Sequence, residues 1–408
     1  MISAATPRVP ERGCAAHLES GTREVALGEL YLGVMSGTSL DGIDIALTRI
    51  GQPYSIELVG FKTVPFEEAL RREYLAMMKD PSWEPQRLLA VHHLLGDRFG
   101  QEINASLREF RTPPSRVKAI GLHGITFWHC PEGYEVYGGV GRGTMQLCDP
   151  YTVAVNTGIR VIHGFRQTDI ALGGQGAPMV PFLDHQLFRH EGIGRIMLNL
   201  GGIANLSFLP AGSEDISAFD SGPANMIIDH LMRHHPTEPQ SFDPSGSYAA
   251  KGKVLHDLLK SCTAHPFFGT APPKSTGRED FGPVFCERFL RYRQFDQYED
   301  LIKTATTLTA VTISDAIRGF RFKDYEYADF QEMIASGGGT YNDTLMEMLR
   351  TNLPELDIKT TSDLGVEVDA KEAMLMASLA WAYMNGVPGN FPTVTGASRK
   401  AVLGSATY

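Results

Sequence analysis

The first regular stretch of the chain is an unbroken apolar run, Leu30-Tyr31-Leu32-Gly33-Val34-Met35, stopped by Ser36-Gly37-Thr38-Ser39. A run that short between small polar residues predicts a buried strand. Asp41-Gly42 is a turn pair, residues 43–50 predict the returning strand, and residues 55–64 a third. The period then changes. Residues 66–78 predict a helix, and residues 86–110 a longer one. In the longer one Leu88, Val91, Leu95, Phe99, Ile103, Leu107 and Phe110 recur three or four apart and share one face. Thr112-Pro113-Pro114 stops it, and residues 117–122 predict a strand ending at His123-Gly124. Residues 134–163, rich in glycine and β-branched residues, predict short strands, with Gly139-Val140-Gly141-Arg142-Gly143 as a loop. A Gly/Pro loop, Gly173-Gly174-Gln175-Gly176-Ala177-Pro178, leads into a helix.

Residues 195–210 repeat the opening device: Ile196-Met197-Leu198, the turn region Asn199 to Asn205, and Leu206-Ser207-Phe208. This is an echo of architecture about 165 residues on, without sequence identity. Residues 301–320 and 370–385 are helical by pattern. Residues 328–335 predict a strand with a helix-like tail, leading into Ser336-Gly337-Gly338-Gly339-Thr340 and a further helix from Asn342.

At 408 residues the chain is long enough for two domains of about 100–200 residues each. Hydrophobic residues make up 43% and charged residues 21%, a globular composition. The net charge of −10 gives no general attraction to nucleic acid or anionic membrane, and no apolar run reaches the length of a membrane span. The first 28 residues lack the apolar block of a secretion signal and mix Arg with Glu, which predicts a flexible leader. Cys14, Cys130, Cys148, Cys262 and Cys286 never fall as C-x-x-C, so reduced thiols and a cytoplasmic location are expected, without zinc or a disulfide framework.

Three glycine clusters at strand ends raise the idea of phosphate binding, because a backbone without Cβ lets N–H groups approach phosphate oxygens. The first, Ser36 to Gly42, adds hydroxyls and Asp41, an acid able to hold Mg²⁺ through water. The second is Gly201-Gly202. The third, Gly337-Gly338-Gly339, opens a helix, whose N-terminus favours an anion. Each alone is also what a plain hairpin or cap carries; three together, two of them in echoing hairpins, suggest a nucleotide cleft. There is no Walker A sequence. In Phe165-Arg166-Gln167-Thr168-Asp169 the acid beside a glycine loop is a candidate general base, with Arg166 to steady its charge or bind phosphate; a structural ion pair is the plainer alternative. In Phe219-Asp220-Ser221-Gly222-Pro223-Ala224-Asn225, Asp220 is read as a strand-end acid and Gly222-Pro223 as a helix opening. Glu372, in the first turn of a helix, either complements the dipole or faces a ligand. Trp128, beside His123, is the candidate platform for a sugar.

These strings together resemble one family. Val34-Met35-Ser36-Gly37-Thr38-Ser39-Leu40-Asp41-Gly42-Ile43-Asp44 looks like the phosphate loop of anhydro-N-acetylmuramic acid kinases. Asp169-Ile170-Ala171-Leu172-Gly173-Gly174-Gln175-Gly176-Ala177-Pro178 is similar to their catalytic segment. Residues 199–205, 219–225, 273–279 and 394–397 match as well, in order, over about residues 30 to 404.

The resemblance implies the two-lobed α/β fold of the sugar kinase, actin and heat-shock ATPase superfamily. Each lobe would be a ribonuclease H-like five-stranded mixed sheet flanked by helices. The first lobe would span 29–163 plus 386–408, and the second 164–385. The implied reaction opens a 1,6-anhydro bridge with water and phosphorylates O6, using ATP and Mg²⁺. Asp169 would be the base, aided by Arg166, with Asp41 and Glu372 on the metal side. The nucleotide would meet Gly37, Thr38, Ser39, Leu40, Asp41, Gly42, Ile43 and Asp44 in the first lobe. In the second it would meet Asn199, Gly201, Gly202, Asn205, Asp220, Gly222, Asn225, Gly337, Gly338, Gly339 and Asn342. His123, Thr126, Trp128 and Gln175 would face the sugar. The partners implied are an anhydrosugar and ATP, with no nucleic acid or membrane, and a tendency to form homodimers. The family's S-H-G-Q-T run is replaced here by Leu122-His123-Gly124-Ile125-Thr126, and Cys148 and Ala224 stand where relatives usually carry glycine. The loop Gly173-Gly174-Gln175 and the tail Thr395-Gly396-Ala397 side with the muramic-acid enzymes over the related levoglucosan kinases.

Overall fold

The computed structural model describes residues 28–37, 40, 42–52, 54–79 and 84–408. The expected leader up to residue 27, and Thr38, Ser39 and Asp41 of the first turn, lie outside the described residues.

Two mixed sheets organise the chain. The first is built from β1 (Glu29–Met35), β2 (Gly42–Gly51), β3 (Ser55–Pro65), β4 (Val117–Leu122) and β7 (Val161–His163). The hairpin of β5 (Ile125–Val136) and β6 (Gly139–Leu147) projects from it as a separate two-stranded ribbon. Strand β2 runs antiparallel to β1 and β3, while β4 and then β7 continue parallel to β1. The second sheet repeats this with β8 (Arg195–Leu200), β9 (Ile203–Leu209) and β10 (Ser217–Pro223) as the antiparallel meander. After the small ribbon β11 (Arg321–Phe322) and β12 (Tyr325–Glu326), strands β13 (Glu332–Ser336) and β14 (Asp357–Thr360) run parallel to β8. Both sheets have the strand order of the ribonuclease H fold. The first is six-stranded, because β15 (Ser405–Ala406) adds to β7.

Helices cover the sheets as the patterns predict. They include α1 (Glu68–Lys79) and α2 (Pro85–Glu109), which buries Val91, Leu95, Phe99, Ile103 and Leu107. Residues 134–163 differ from expectation. The glycine run 139–143 is part of strand β6, since an exposed two-stranded ribbon needs no bulky side chains. Residues 150–157 form helix α3 (Pro150–Thr157), because Asp149 caps the Tyr151 amide and Pro150 sits in the first turn, which outweighs the β-branched residues. Gly222 and Pro223 end β10, and the helix α6 (Asn225–Arg233) starts after them. The triple glycine leads first into a 3₁₀ turn, Gly338–Tyr341, and Asn342 then caps the helix Asp343–Asn352.

The element that joins the lobes is the helix Lys371–Met384. Almost every side chain on it is buried, and it is rich in alanine, so it can lie close to a backbone. It packs on β1, β2 and β4. A Cβ on Gly33 would lie 1.8 Å from the Ala373 carbonyl oxygen, and one on Gly121 would lie 1.9 Å from that of Met376. The expected lobe boundary put this helix in the second lobe, but its contacts put it on the first sheet. One apolar core runs through it, from Tyr31 and Ile162 of the first sheet to Met197 and Ile334 of the second. Among the described residues no helix is long and apolar enough to cross a membrane.

Gly121→Ala and Gly33→Ala should each push the helix off the sheet. We expect a loss of about 1–3 kcal/mol or more, read as a lower urea midpoint. An unchanged midpoint in both variants would show that the close approach is dispensable.

Candidate active site

The first turn is pinned by its own polar atoms. The Ser36 hydroxyl donates to the Gly42 carbonyl (2.9 Å), and the Leu40 amide donates to the Gly37 carbonyl (3.1 Å). Leu40 itself is buried in the first lobe's core beside Ile43. Asp44, on the following strand, accepts the Thr63 hydroxyl at 2.6 Å.

A short helix, α4 (Gln167–Ala171), carries Asp169 and leads into the glycine loop. Asp169 is 1% exposed and accepts three donors. Oδ1 takes the Asn390 amide and the Thr395 hydroxyl, both at 2.8 Å, and Oδ2 takes the Gly176 amide at 2.8 Å. A carboxylate has about four acceptor positions, so one remains on Oδ2. Gly174 borders that atom: a Cβ there would lie 2.3 Å from Oδ2. Asn390 carries no signal in the sequence, and Gly174 stands in the catalytic-segment string without a stated role. Thr395 lay within a quoted motif but had no stated role.

Arg166 and His123 form a pair. The Arg166 Nε donates to His123 Nε2 (3.0 Å), and Nη1 donates to the Gly176 carbonyl (2.7 Å). The His123 Nδ1 lies 2.9 Å from the Gly124 carbonyl, which assigns the proton to Nδ1 and leaves Nε2 as acceptor. Burial, then the Arg166 charge, pushes the His123 pKa down to about 3, so the ring stays neutral. Burial lowers Arg166 to about 10, still fully charged at neutral pH. No carboxylate forms an ion pair with it among the described residues; Glu372 acts on it only at longer range.

Glu372 stands in the first turn of the interlobe helix. Water reaches its side chain, but protein atoms crowd round it. That crowding, and then the negative charge of Asp44, raise its pKa above the ordinary carboxylate value. The two acids are thus near enough to repel each other. Among the described residues no group of three or more His, Cys, Asp or Glu gathers as a metal cluster. Mg²⁺ commonly takes one or two carboxylates with water and phosphate, and a repelling acid pair suits it.

In the second lobe the turn after β8 has its carbonyl side fastened to α6. The Gly201 carbonyl accepts from Asn225, and the Gly202 carbonyl from Ala224 and Met226. The Asn225 side chain donates to the Leu200 carbonyl (3.1 Å). Asn199 lies 3.4 Å from the Ser336 hydroxyl. Gly337 (φ +84°) and Gly339 approach this turn so closely that a Cβ would lie 2.8 Å from the Leu200 oxygen and 2.6 Å from its Cβ. Gly338 faces open space. It borders a pocket of about 280 Å³ shared with Asn225, Ile228, Asp229, Tyr341 and Asn342. The Asn342 side chain caps Leu345. Asp229, whose pKa burial raises to about 6, was not singled out in the sequence. Its place four residues after Asn225, on the same helix face, was the available signal. Two other expected residues are occupied structurally. Asp220 accepts the Asn205 side chain (2.8 Å) and the Thr276 amide (2.9 Å), and Gly222 lies against Phe268.

On the sugar side, Gln175 donates its amide to the Thr395 carbonyl (2.8 Å) and its side chain to Glu132 of the hairpin (2.9 Å). The Thr126 carbonyl accepts the Tyr74 hydroxyl (2.7 Å). Trp128 is 62% exposed and lies in a groove with Met77, Met78, Tyr134 and Met145. That groove is not bordered by Asp169 or Arg166, so the structure does not bring Trp128 to them. Cys148 has φ +146°, a conformation that glycine adopts more easily.

The buried neutral His123 has a thermodynamic consequence. Below about pH 6.5 the unfolded chain takes up a proton that the native ring refuses until about pH 3, so stability falls as pH drops through that window. Relative to His123→Gln, which keeps an acceptor for Arg166, the wild type should lose up to about 1.4 kcal/mol per pH unit below pH 6. Urea midpoints at pH 7.5, 6 and 5 measure this, and parallel curves would refute it.

Comparison with known proteins gives one consistent relationship. The family model of anhydro-N-acetylmuramic acid kinase matches residues 29–408. An anhydro-N-acetylmuramic acid kinase of Salinibacter ruber is 41% identical over 382 residues, covering 92% of this chain and 95% of that protein. Those of Caldanaerobacter subterraneus subsp. tengcongensis (35%) and Bacillus cereus strain G9842 (39%) each align over 383 residues, 92% of this chain, and cover 96% and 98% of their own lengths. With nearly its whole described length matched, the chain belongs to the anhydro-N-acetylmuramic acid kinase family.

Proposed function

We propose that this chain is an ATP-dependent kinase of 1,6-anhydro-N-acetylmuramic acid, yielding N-acetylmuramic acid 6-phosphate and ADP. The observation that carries the reading is the state of Asp169: three acceptor positions filled by fixed donors and one left on Oδ2, beside a residue with no side chain. That is a base held in one orientation with room for a single small molecule. Water on Oδ2 gives its proton to Asp169 and its oxygen to the anomeric carbon. The C1–O6 bond breaks, and its electron pair stays on O6. O6 then attacks the γ-phosphorus and ADP leaves. The proton on Asp169 passes to solvent.

Charge build-up at the phosphoryl group is met by the remaining N–H donors of Arg166, whose fork is held by His123 and the Gly176 carbonyl. Asp44 and Glu372 are the described residues suited to hold Mg²⁺, with Asp41 three residues before Asp44 in the chain. When bound, the ion neutralises phosphate charge. The adenosine would lie against Gly338 in the pocket with Asn225, Asp229 and Asn342, and the phosphates between the two turns.

The test is ADP release with anhydro-N-acetylmuramic acid and, separately, levoglucosan. Activity on the first and at most about a hundredth of it on the second supports the reading; the reverse order would overturn the substrate. In ¹⁸O-labelled water the label should appear at the anomeric carbon before ring opening exchanges it.

Asp169→Asn should lower kcat by about 10²–10⁴-fold with ADP affinity nearly intact. It turns one acceptor into a donor facing a donor, so stability should also drop by about 1–3 kcal/mol. Gly174→Ala should cut kcat by filling the space beside Oδ2, again without loss of ADP affinity. Normal turnover in either variant would remove Asp169 from its role.

A further inference from the structure

Lys371 is a lysine where helix physics does not favour one. It opens the interlobe helix, whose N-terminal end repels positive charge, and it is only 4% exposed. Its ammonium lies 2.6 Å from Asp184 Oδ1 and donates to the Ser336 hydroxyl at 3.2 Å. Asp184, on α5 (Val180–Phe188), is itself buried, so the pair is fully desolvated. Buried pairs of this kind are close to neutral for stability when compared with apolar residues of similar volume. Their retention at a junction therefore invites a role in geometry.

The junction is specific. The Ser336 oxygen lies 3.4 Å from both the Leu198 carbonyl and Asn199 Oδ1. It is the last residue of β13, directly before Gly337, so it stands at the root of both glycine turns of the second lobe. Asp184 belongs to the helix that follows the Asp169 loop. The next residue on the helix, Glu372, senses Asp44 and Arg166. The helix itself is seated on the first sheet through Gly33 and Gly121.

We propose that Lys371 is a positioning residue that sets the second lobe's nucleotide turns in register with Glu372. It contacts neither nucleotide nor sugar. This rests on reading those turns as the phosphate site.

The test uses the full chain and two variants. Lys371→Met leaves Asp184 buried and alone; Lys371→Met with Asp184→Leu removes both charges. ADP affinity with Mg²⁺ and no sugar is measured by calorimetry, alongside the thermal midpoint and steady-state kinetics. The double variant should regain a wild-type thermal midpoint but bind ADP about tenfold more weakly. Its kcat should fall about 30-fold, with KM for the sugar within about twofold of wild type. If Lys371→Met alone fails to fold, the double variant carries the test. A double variant with wild-type ADP affinity and kcat overturns the proposal and leaves Lys371 a purely structural group. The ADP measurement needs no sugar, so a wrong substrate leaves this result readable.

Discussion

A helix lying on bare backbone is the constraint on which the cleft depends. Two glycines, one on β1 and one on β4, let the helix Lys371–Met384 come closer to the first sheet than any side chain would allow. The apolar core then passes through that helix into the second sheet. Its first turn ends up between the lobes and carries Lys371 and Glu372 in opposite roles, one tied into the second lobe and one turned to the first. A helix set an ångström or two higher would keep every apolar contact in kind and lose this placement.

The electrostatics are local. The chain is acidic overall, and its reaction partners are anions, so long-range attraction cannot gather them. The site instead holds a guanidinium with no bonded carboxylate among the described residues, oriented by an imidazole whose burial keeps it neutral. A charged histidine there would repel Arg166 and lose the acceptor that fixes its fork. A carboxylate in the same place would neutralise the cation that a phosphoryl group needs.

The antiparallel meanders, the long helices and the glycine turns were legible in the sequence because they rest on short-range patterns. Strand β1, its return and the hairpin after Ile196 appear where the apolar runs end in small polar residues. The strand β6 was missed because glycine normally signals a loop, and α3 because its valines favour strands; in both, neighbours decided. The run Phe165 to Asp169 and the family resemblance pointed to Arg166 and Asp169, but not to what holds them. Asn390 and Thr395 lie more than two hundred residues from Asp169, and the Lys371–Asp184 pair joins elements with no common pattern. Trp128 shows how sequence and space can part. His123 and Trp128 are five residues apart, yet His123 is buried against Arg166 while Trp128 is exposed in the groove beside the hairpin.

The clasp on Asp169 also bears on the order in which the molecule comes to life. Asn390 donates to the carboxylate, and its own carbonyl side accepts from Ala401. Both bonds depend on chain that leaves the ribosome after every strand of the two sheets except β15. Domains fold as they emerge, so the second lobe and its turns can take shape first. Two of the three donors to the base, Asn390 and Thr395, arrive only with this later stretch, which β15 ties to β7. Synthesis therefore carries its own timing: the glycine turns of the second lobe can form before the acid that would use them is aimed.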